Sequence, residues 1–300
     1  MAKILVFGAE GQLGRELAKC AELREIPMRL IGRDEGDVTN TGIVMRLMAG
    51  TAPGLVVNAA AYTRVDKAES EADEAFRVNA LGPHILASVC AKQGIPLLHL
   101  STDYVFDGTK TGAYVETDPI SPLGVYGHSK AKGESAVRAQ LEHHLIMRTS
   151  WVYGAYGTNF LKTILRLIKE RDELRVVADQ HGCPTGTSDI ADAILAIAPV
   201  LMAREPVWGT YHFAGQGVTT WHGFASEIVN AQVGMTHKRP PVIPISTSEY
   251  PTAARRPLNS ELASAHFATV FGVKAKDWRD RAREVIATLL KDEQHKNHIY

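Results

Sequence analysis

The sequence has no net charge: its 33 Lys and Arg balance 33 Asp and Glu. No overall field therefore draws the chain to nucleic acid or to anionic lipid. An anionic small molecule remains a possible ligand, because local placement of arginines and backbone donors decides that. Cysteine is scarce. Cys20, Cys90 and Cys183 are odd in number, far apart and without a C-x-x-C pair. A disulfide framework or a zinc site is not expected, and reduced thiols in a cytoplasmic protein are. Long apolar runs are missing too. The first is too short for a signal peptide, and Glu10 soon follows it. The longest later one, Ala193–Ala203, is broken by Pro199 and preceded by Asp192. It reads as a buried or amphipathic helix, so no membrane span is expected. Twelve histidines form no H-E-x-x-H or comparable ligand pattern. There is no internal repeat and no low-complexity tract. What is left is ordinary globular composition, 45% hydrophobic and 22% charged over 300 residues. That suits one large domain or two small ones with a sizeable core.

Through the first half, short apolar runs alternate with helical patterns. Strands are expected at Ile4–Phe7, Met28–Ile31, Leu55–Val57, Leu97–Leu100 and Leu145–Met147, and helices near 11–25, 41–49, 71–93 and 125–141. The alternation predicts an α/β fold: a doubly wound parallel sheet with helices on both faces and right-handed crossovers. Beyond residue 150 the pattern is mixed. Asn159–Arg171 reads as a helix with Phe160, Ile164, Leu167 and Ile168 on one side. Pro and Gly then become frequent. This half is expected to return partly to the sheet and partly to form a smaller lobe.

Three stretches carry chemistry. The first strand leads into Gly8-Ala9-Glu10-Gly11-Gln12-Leu13-Gly14, and a helical pattern follows. Strand, glycine turn, helix is the context of a dinucleotide-binding loop. Gly8, Gly11 and Gly14 permit a tight turn and close approach of backbone to pyrophosphate, with Gln12 and Leu13 in the turn. An ordinary turn is the plainer alternative. Second, Tyr126-Gly127-His128-Ser129-Lys130 sets a phenol and an ammonium four residues apart, on one face of a helix. The cation is expected to lower the phenol pKa from about 10, so that the pair exchanges a proton near neutral pH, as carbonyl reduction requires. A surface helix pair is the alternative. Third, Ser101-Thr102-Asp103-Tyr104-Val105-Phe106 follows an apolar run. It places the Thr102 hydroxyl just past a strand's carboxyl end, where open parallel sheets bind ligands. The second strand ends at Gly32-Arg33, where an NAD enzyme of this fold carries an acid for the ribose 2′-hydroxyl. Gly32 removes that acid and Arg33 suits a 2′-phosphate, which favours NADPH, with NADH as the alternative. Arg33 as a solvated charge, with Asp34 as the acid, is the competing assignment. Ala61-Tyr62-Thr63 and Leu100 fall past the third strand and at the end of the fourth, along the path of the cofactor ribose, pyrophosphate and nicotinamide.

With these in place the chain resembles the extended short-chain dehydrogenase/reductases. Within them it is most similar to the dTDP-4-dehydrorhamnose reductase family. The resemblance rests on Asn58-Ala59-Ala60-Ala61-Tyr62-Thr63 with Val65-Asp66-Lys67-Ala68-Glu69, on Ser101–Phe106, and on Arg148-Thr149-Ser150-Trp151-Val152-Tyr153. Asp179-Gln180-x-Gly182-x-Pro184-Thr185 and Arg256-Pro257-x-Asn259-Ser260 also match. It implies a Rossmann-type sheet with an interleaved substrate domain, here residues 1–150 and mainly 151–300. It implies a nucleotide-sugar substrate whose 4-ketone is reduced with NADPH to give dTDP-L-rhamnose for cell-surface polysaccharide. Tyr126 would be the proton donor, Lys130 would hold the nicotinamide ribose, and Thr102 would bond the reacting oxygen. Asp37 and Val38 match an adenine-contacting pair, Asp103 and Trp151 match positions facing the sugar, and Arg256 is a weaker candidate for the diphosphate. Asn79 is implied to be structural. Some members bind Mg²⁺ through glutamates at a dimer interface. Glu16 matches one of them, but the glutamate expected near Thr187-Ser188-Asp189 is absent. No catalytic metal is expected, and the chain is a monomer or homodimer. The competing functions are a nucleotide-sugar epimerase or dehydratase, and a non-catalytic regulatory subunit of the same fold. Dehydratases place an Asp-Glu pair near Thr102-Asp103, and this chain lacks the second acid.

Overall fold

The structure is a computed structural model that describes residues 3–204 and 207–297. Its centre is a parallel sheet built from β1 (Ile4–Phe7), β2 (Met28–Ile31), β3 (Leu55–Asn58), β4 (Leu97–Thr102) and β5 (His144–Thr149). The sixth strand is Gly209–His212, which pairs with β5. Across the sheet the order is β2, β1, β3, β4, β5, then Gly209–His212. β2 and β3 flank β1 on opposite sides. The order thus reverses at β1, and a crevice opens outside the carboxyl ends of the strands there.

The strands read as continuous apolar runs because both faces are covered. Ile4 and Val6 of β1 belong to one core, with Leu17, Ile190 and Ile194. Leu5 and Phe7 belong to the other, with Val44, Leu86 and Val137. The helices that supply these side chains are α1 (Gln12–Leu23), α2 (Thr41–Thr51), α3 (Gly82–Gln93), α4 (Val125–Gln140) and, from the second half, Thr187–Met202. Asn40 caps α2 by accepting from Ile43 N at 3.1 Å.

β4 and β5 outrun the apolar segments that predicted them. Ser101 pairs with Arg148 and Thr102 with Thr149, so Thr102 is the last residue of β4 and does not lie past its end. The helix expected over 71–93 is broken. Ala72–Phe76 is α-helical, Arg77–Leu81 forms a π turn, and α3 starts at Gly82. Pro83 has no N–H to return to Asn79, four residues back, so the regular ladder fails at that point.

The smaller lobe has its own core. There α5 (Phe160–Glu170), α7 (Trp221–Thr236) and α8 (Trp278–Asn297) surround β6 (Leu174–Val177). In this numbering Thr187–Met202 is α6. Asn159 caps α5 through Lys162 N at 3.0 Å, and Thr220 caps α7 through Gly223 N at 3.0 Å. Ile164 and Ile168 of α5 are buried as expected, joined by Leu161 and Leu165. Phe160 and Leu167 are partly buried against the same core and, with Ile164, also line the cleft. Ala193–Ala203 falls largely within α6, whose apolar face lies under the sheet. Among the described residues no helix is long and apolar enough to cross a membrane, and no cluster of His, Cys, Asp and Glu could hold a metal ion. The three cysteines are free and buried.

Candidate active site

A cleft of about 1380 Å³ runs between the carboxyl ends of the strands and the smaller lobe. Its sheet side begins at the glycine loop. Gly8 adopts φ +99°. A Cβ there would lie 2.6 Å from Ala59 C, and one on Gly14 would lie 2.2 Å from Gly8 O. Neither position admits a side chain, so the loop folds flat on the strand ends. No side chain caps α1 at Gly11, which leaves its first N–H groups for an anion. Gly11, Gln12 and Leu13 line the cleft. Gln12 Oε1 accepts from Asn159 Nδ2 at 2.9 Å, which ties the loop to the lobe.

Ala61, Thr63 and Leu100 also line the cleft. Tyr62, expected beside them, is not part of the lining. Its N and O are held by the Asn79 amide at 2.8 and 3.0 Å, while its hydroxyl donates to Glu71 at 2.6 Å. Asn79, which the π turn projects, also donates to Ser129 Oγ at 3.0 Å, so it joins the loop after β3 to α4. Gly8 and Gly14 lie beneath the loop, outside the lining, and Val38, Asp37 and Arg33 stand outside it as well. Val38 is buried. Asp37 accepts from Thr39 N at 2.9 Å and from Arg77 at 3.2 Å. Burial works to raise its pKa, but these hydrogen bonds outweigh burial and hold it below the ordinary carboxylate value. Arg33, expected at a 2′-phosphate, is exposed and sits 3.0 Å from Glu74.

The catalytic candidates converge. Thr102, Asp103, Tyr126 and Lys130 line one stretch of the cleft. α4 can approach because Gly127 has no side chain: a Cβ there would lie 2.2 Å from Tyr104 O. Lys130, 3% exposed, donates to Leu100 O at 2.6 Å. Thr102 Oγ1 donates to Asp103 at 2.9 Å and accepts from Tyr104 N at 3.2 Å. The expected electrostatics need correction. Burial pushes the Tyr126 phenol up to about 12; a hydrogen bond with Thr102 opposes this and Asp103 adds to it. Lys130 does not pull it down. Burial itself takes the Lys130 ammonium down to about 8, with Glu134 opposing. A low-dielectric site disfavours the charged form of both groups, and that outweighs their mutual effect.

Glu134 escaped the sequence reading. It is fully buried on α4 and accepts from Ser101 Oγ at 2.6 Å and from Arg148 at 2.9 and 2.7 Å. The signal was available: Tyr126, Lys130 and Glu134 repeat at four-residue spacing on one helical face.

Beside Thr102, Asp103 is 2% exposed, and burial takes its pKa up to about 6 against hydrogen bonds from Ser260 and Thr102. Its Oδ2 has no partner. On the lobe side, Trp151 sits at φ +47°, a left-handed conformation that is strained for a bulky side chain. Its ring stacks on Trp221, with centroids 3.5 Å apart and planes 5° apart. Gly182 makes room, since a Cβ there would lie 2.4 Å from the indole. Trp221 was also missed; as one of four tryptophans, at the start of a helix pattern, it offered a weak signal. Its Nε1 donates to Gln180 at 3.1 Å. Arg256 lines the cleft, but its guanidinium is already on Asp66, at 3.2 and 2.8 Å. Glu16, the candidate for an interface metal, is buried and accepts from Thr187 Oγ1 at 2.9 Å. Its carboxylate is spent joining α1 to α6, so it does not fit a metal at a subunit interface.

Comparison with known proteins matches residues 2–291 to the family described as RmlD substrate binding domain. A dTDP-4-dehydrorhamnose reductase from Aggregatibacter actinomycetemcomitans is 43% identical over 96% of this chain and 99% of its own length. The crystal structure of a dTDP-4-dehydrorhamnose reductase from Clostridium acetobutylicum superposes with a TM-score of 0.89 at 36% identity, covering 96% of this chain and 99% of that one. The Bacillus anthracis dTDP-4-dehydrorhamnose reductase, solved in complex with NADP, gives 0.89 at 33% identity with the same coverage.

Proposed function

We propose a function that starts from membership: the chain belongs to the RmlD family of dTDP-4-dehydrorhamnose reductases. It reduces the 4-ketone of a thymidine-diphosphate sugar, dTDP-4-dehydrorhamnose, to give dTDP-L-rhamnose. The observation that carries this is the convergence of Thr102, Tyr126 and Lys130 on the cleft that the glycine loop also lines. The glycine loop fits a dinucleotide, because it lies flat on the strand ends and leaves the first N–H groups of α1 uncapped for pyrophosphate. Gly11, Gln12, Leu13, Thr63 and Lys130 would hold it. A bound nicotinamide supplies the hydride, which no side chain here can provide. NADPH is the proposed donor and NADH a usable second one; the lack of an acid on β2 and the NADP complex of the Bacillus anthracis relative support this.

Tyr126 gives its proton to the ketone oxygen as negative charge develops there. With the phenol pushed up to about 12, it is fully protonated at neutral pH and still more acidic than the alkoxide it protonates. Thr102 supports the same oxygen. Lys130, anchored on Leu100 O, brings a cation beside the site from a fixed position. Asp103 has one buried oxygen without a partner, which a sugar hydroxyl reaching it would satisfy, and Trp151 with Trp221 forms an apolar wall for the ring.

The test is a panel of 4-keto nucleotide sugars incubated with NADPH and followed by cofactor absorbance. Consumption with the dTDP 4-keto sugar is expected. A product formed without net consumption would make the protein an epimerase or dehydratase. No reaction with any member of the panel would leave a non-catalytic role.

A further inference from the structure

The end of β2 is where an open α/β sheet reads the adenosine ribose of a dinucleotide. Gly32 leaves that end without a side chain, yet the space over it is filled from the neighbouring loop. A Cβ built on Gly32 would lie 2.6 Å from Glu10 Oε1 and 3.2 Å from its Cδ. The glycine loop brings the Glu10 side chain to that place. Gly8 N and Ala9 N both donate to Ile31 O, at 3.0 and 3.1 Å, so loop and strand end are joined. Glu10 lines the cleft, and among the described residues it has no ion pair or hydrogen bond to its carboxylate. The cation expected to oppose it is committed elsewhere. Arg33 is on Glu74 at 3.0 Å, and Glu74 is gripped in turn by Arg77 at 2.7 and 2.9 Å.

We propose that Glu10 narrows this enzyme's preference for NADPH and makes NADH usable as the second donor. An ionised carboxylate only accepts hydrogen bonds. At this place it accepts from the ribose 2′-hydroxyl of NADH and repels the 2′-phosphate of NADPH. The acid missing from β2 is thus supplied from the first loop, and it opposes the NADPH preference that Gly32 and Arg33 suggest. The inference rests on the nicotinamide reading and adds to it the residue that discriminates.

The test is the dissociation constant of each reduced cofactor, measured by nicotinamide fluorescence without any sugar substrate. Native protein, Glu10→Gln and Arg33→Ala are compared. Glu10 is exposed, so the near-isosteric Gln keeps the fold, which a thermal melt verifies. Glu10→Gln is expected to tighten NADPH about tenfold while leaving NADH unchanged or weaker by about threefold; solvent screening keeps the effect near that size. Arg33→Ala is expected to move the ratio of the two constants by less than about threefold. A ratio that moves less than about twofold in Glu10→Gln, or more in Arg33→Ala than in Glu10→Gln, overturns the proposal while the nicotinamide reading stands. If neither cofactor binds the native protein, that reading falls and the proposal with it.

Discussion

On the sheet side of the cleft the reactive groups are held by contacts that a ligand need not break; on the lobe side they are held by one another. Lys130 is anchored on a strand carbonyl, and Ser101, Arg148 and Glu134 lock α4 onto β4 and β5. Trp151 instead lies on Trp221, and Arg256 on Asp66. The first arrangement is preorganised for one fixed chemistry. The second must exchange internal partners for substrate, so each contact there yields only the difference between two states. Substitutions on the sheet side should therefore cost rate steeply, and those on the lobe side should cost affinity modestly.

The largest effect is expected at Tyr126. Tyr126→Phe removes one hydroxyl and keeps the ring that meets Tyr104 edge-on at 5.5 Å. A loss of about 10²–10⁴-fold in kcat is expected, as for removal of a general acid. The NADPH dissociation constant should be unchanged, because the glycine loop and Lys130 remain. Near-native turnover in this variant would end the proton-donor assignment and blur the contrast between the two walls.

The sheet side was also the legible side. β1 and β2 fall where the apolar runs put them, and β1, buried throughout, writes itself as an unbroken local run. The convergence of Thr102, Tyr126 and Lys130 was readable because helical spacing and strand ends are local properties. What escaped was tertiary. Glu10 over Gly32, Trp221 on Trp151 and Asp66 on Arg256 join residues whose separation in sequence says nothing of contact. The shift of Tyr126 escaped for the same reason: four-residue spacing shows the neighbouring charge, but not the burial that outweighs it.

The next effect separates the two ionisable partners on the sheet side. Burial lowers the Lys130 pKa to about 8, whereas Tyr126 keeps its proton up to about 12. Lysine is charged below its pKa, so the ammonium is present at neutral pH and is lost as pH rises through about 8. kcat/KM should fall on the alkaline side by about tenfold per unit, with the break belonging to Lys130. Lys130→Met should lower the plateau and abolish that break. A profile that stays flat from neutral pH to about 10 would show that the ammonium is not required.

On the lobe side, Trp151→Ala should raise the substrate KM by about tenfold, the scale of losing an aromatic wall and its stacked partner. NADPH affinity should stay nearly constant, because the glycine loop stands on the other wall. Trp221→Ala should act in the same direction but more weakly, since Trp151 keeps its seat against Gly182. If cofactor affinity collapses in Trp151→Ala, the ring is part of the core and the lobe wall is no specificity surface.

The smallest effect is the most discriminating. Arg256 is either a strap that fixes its loop to the turn containing Asp66, or a diphosphate ligand held in reserve by that acid. The bridge is well formed but half open to solvent: the two side chains are 22% and 46% exposed. Such pairs are worth little, so a diphosphate could displace Asp66 at small cost. Asp66→Asn keeps the shape and removes the competing charge. If Arg256 serves the diphosphate, Asp66→Asn should lower the substrate KM by about twofold, and Arg256→Ala should raise it by more than about fivefold. The double variant should then resemble Arg256→Ala, because the acid has nothing left to hold back. If the pair is only a strap, both single variants should lower the melting temperature alike and leave KM within about twofold of native. The sign of the KM change in Asp66→Asn decides between the two, because loss of a strap has no means of improving affinity.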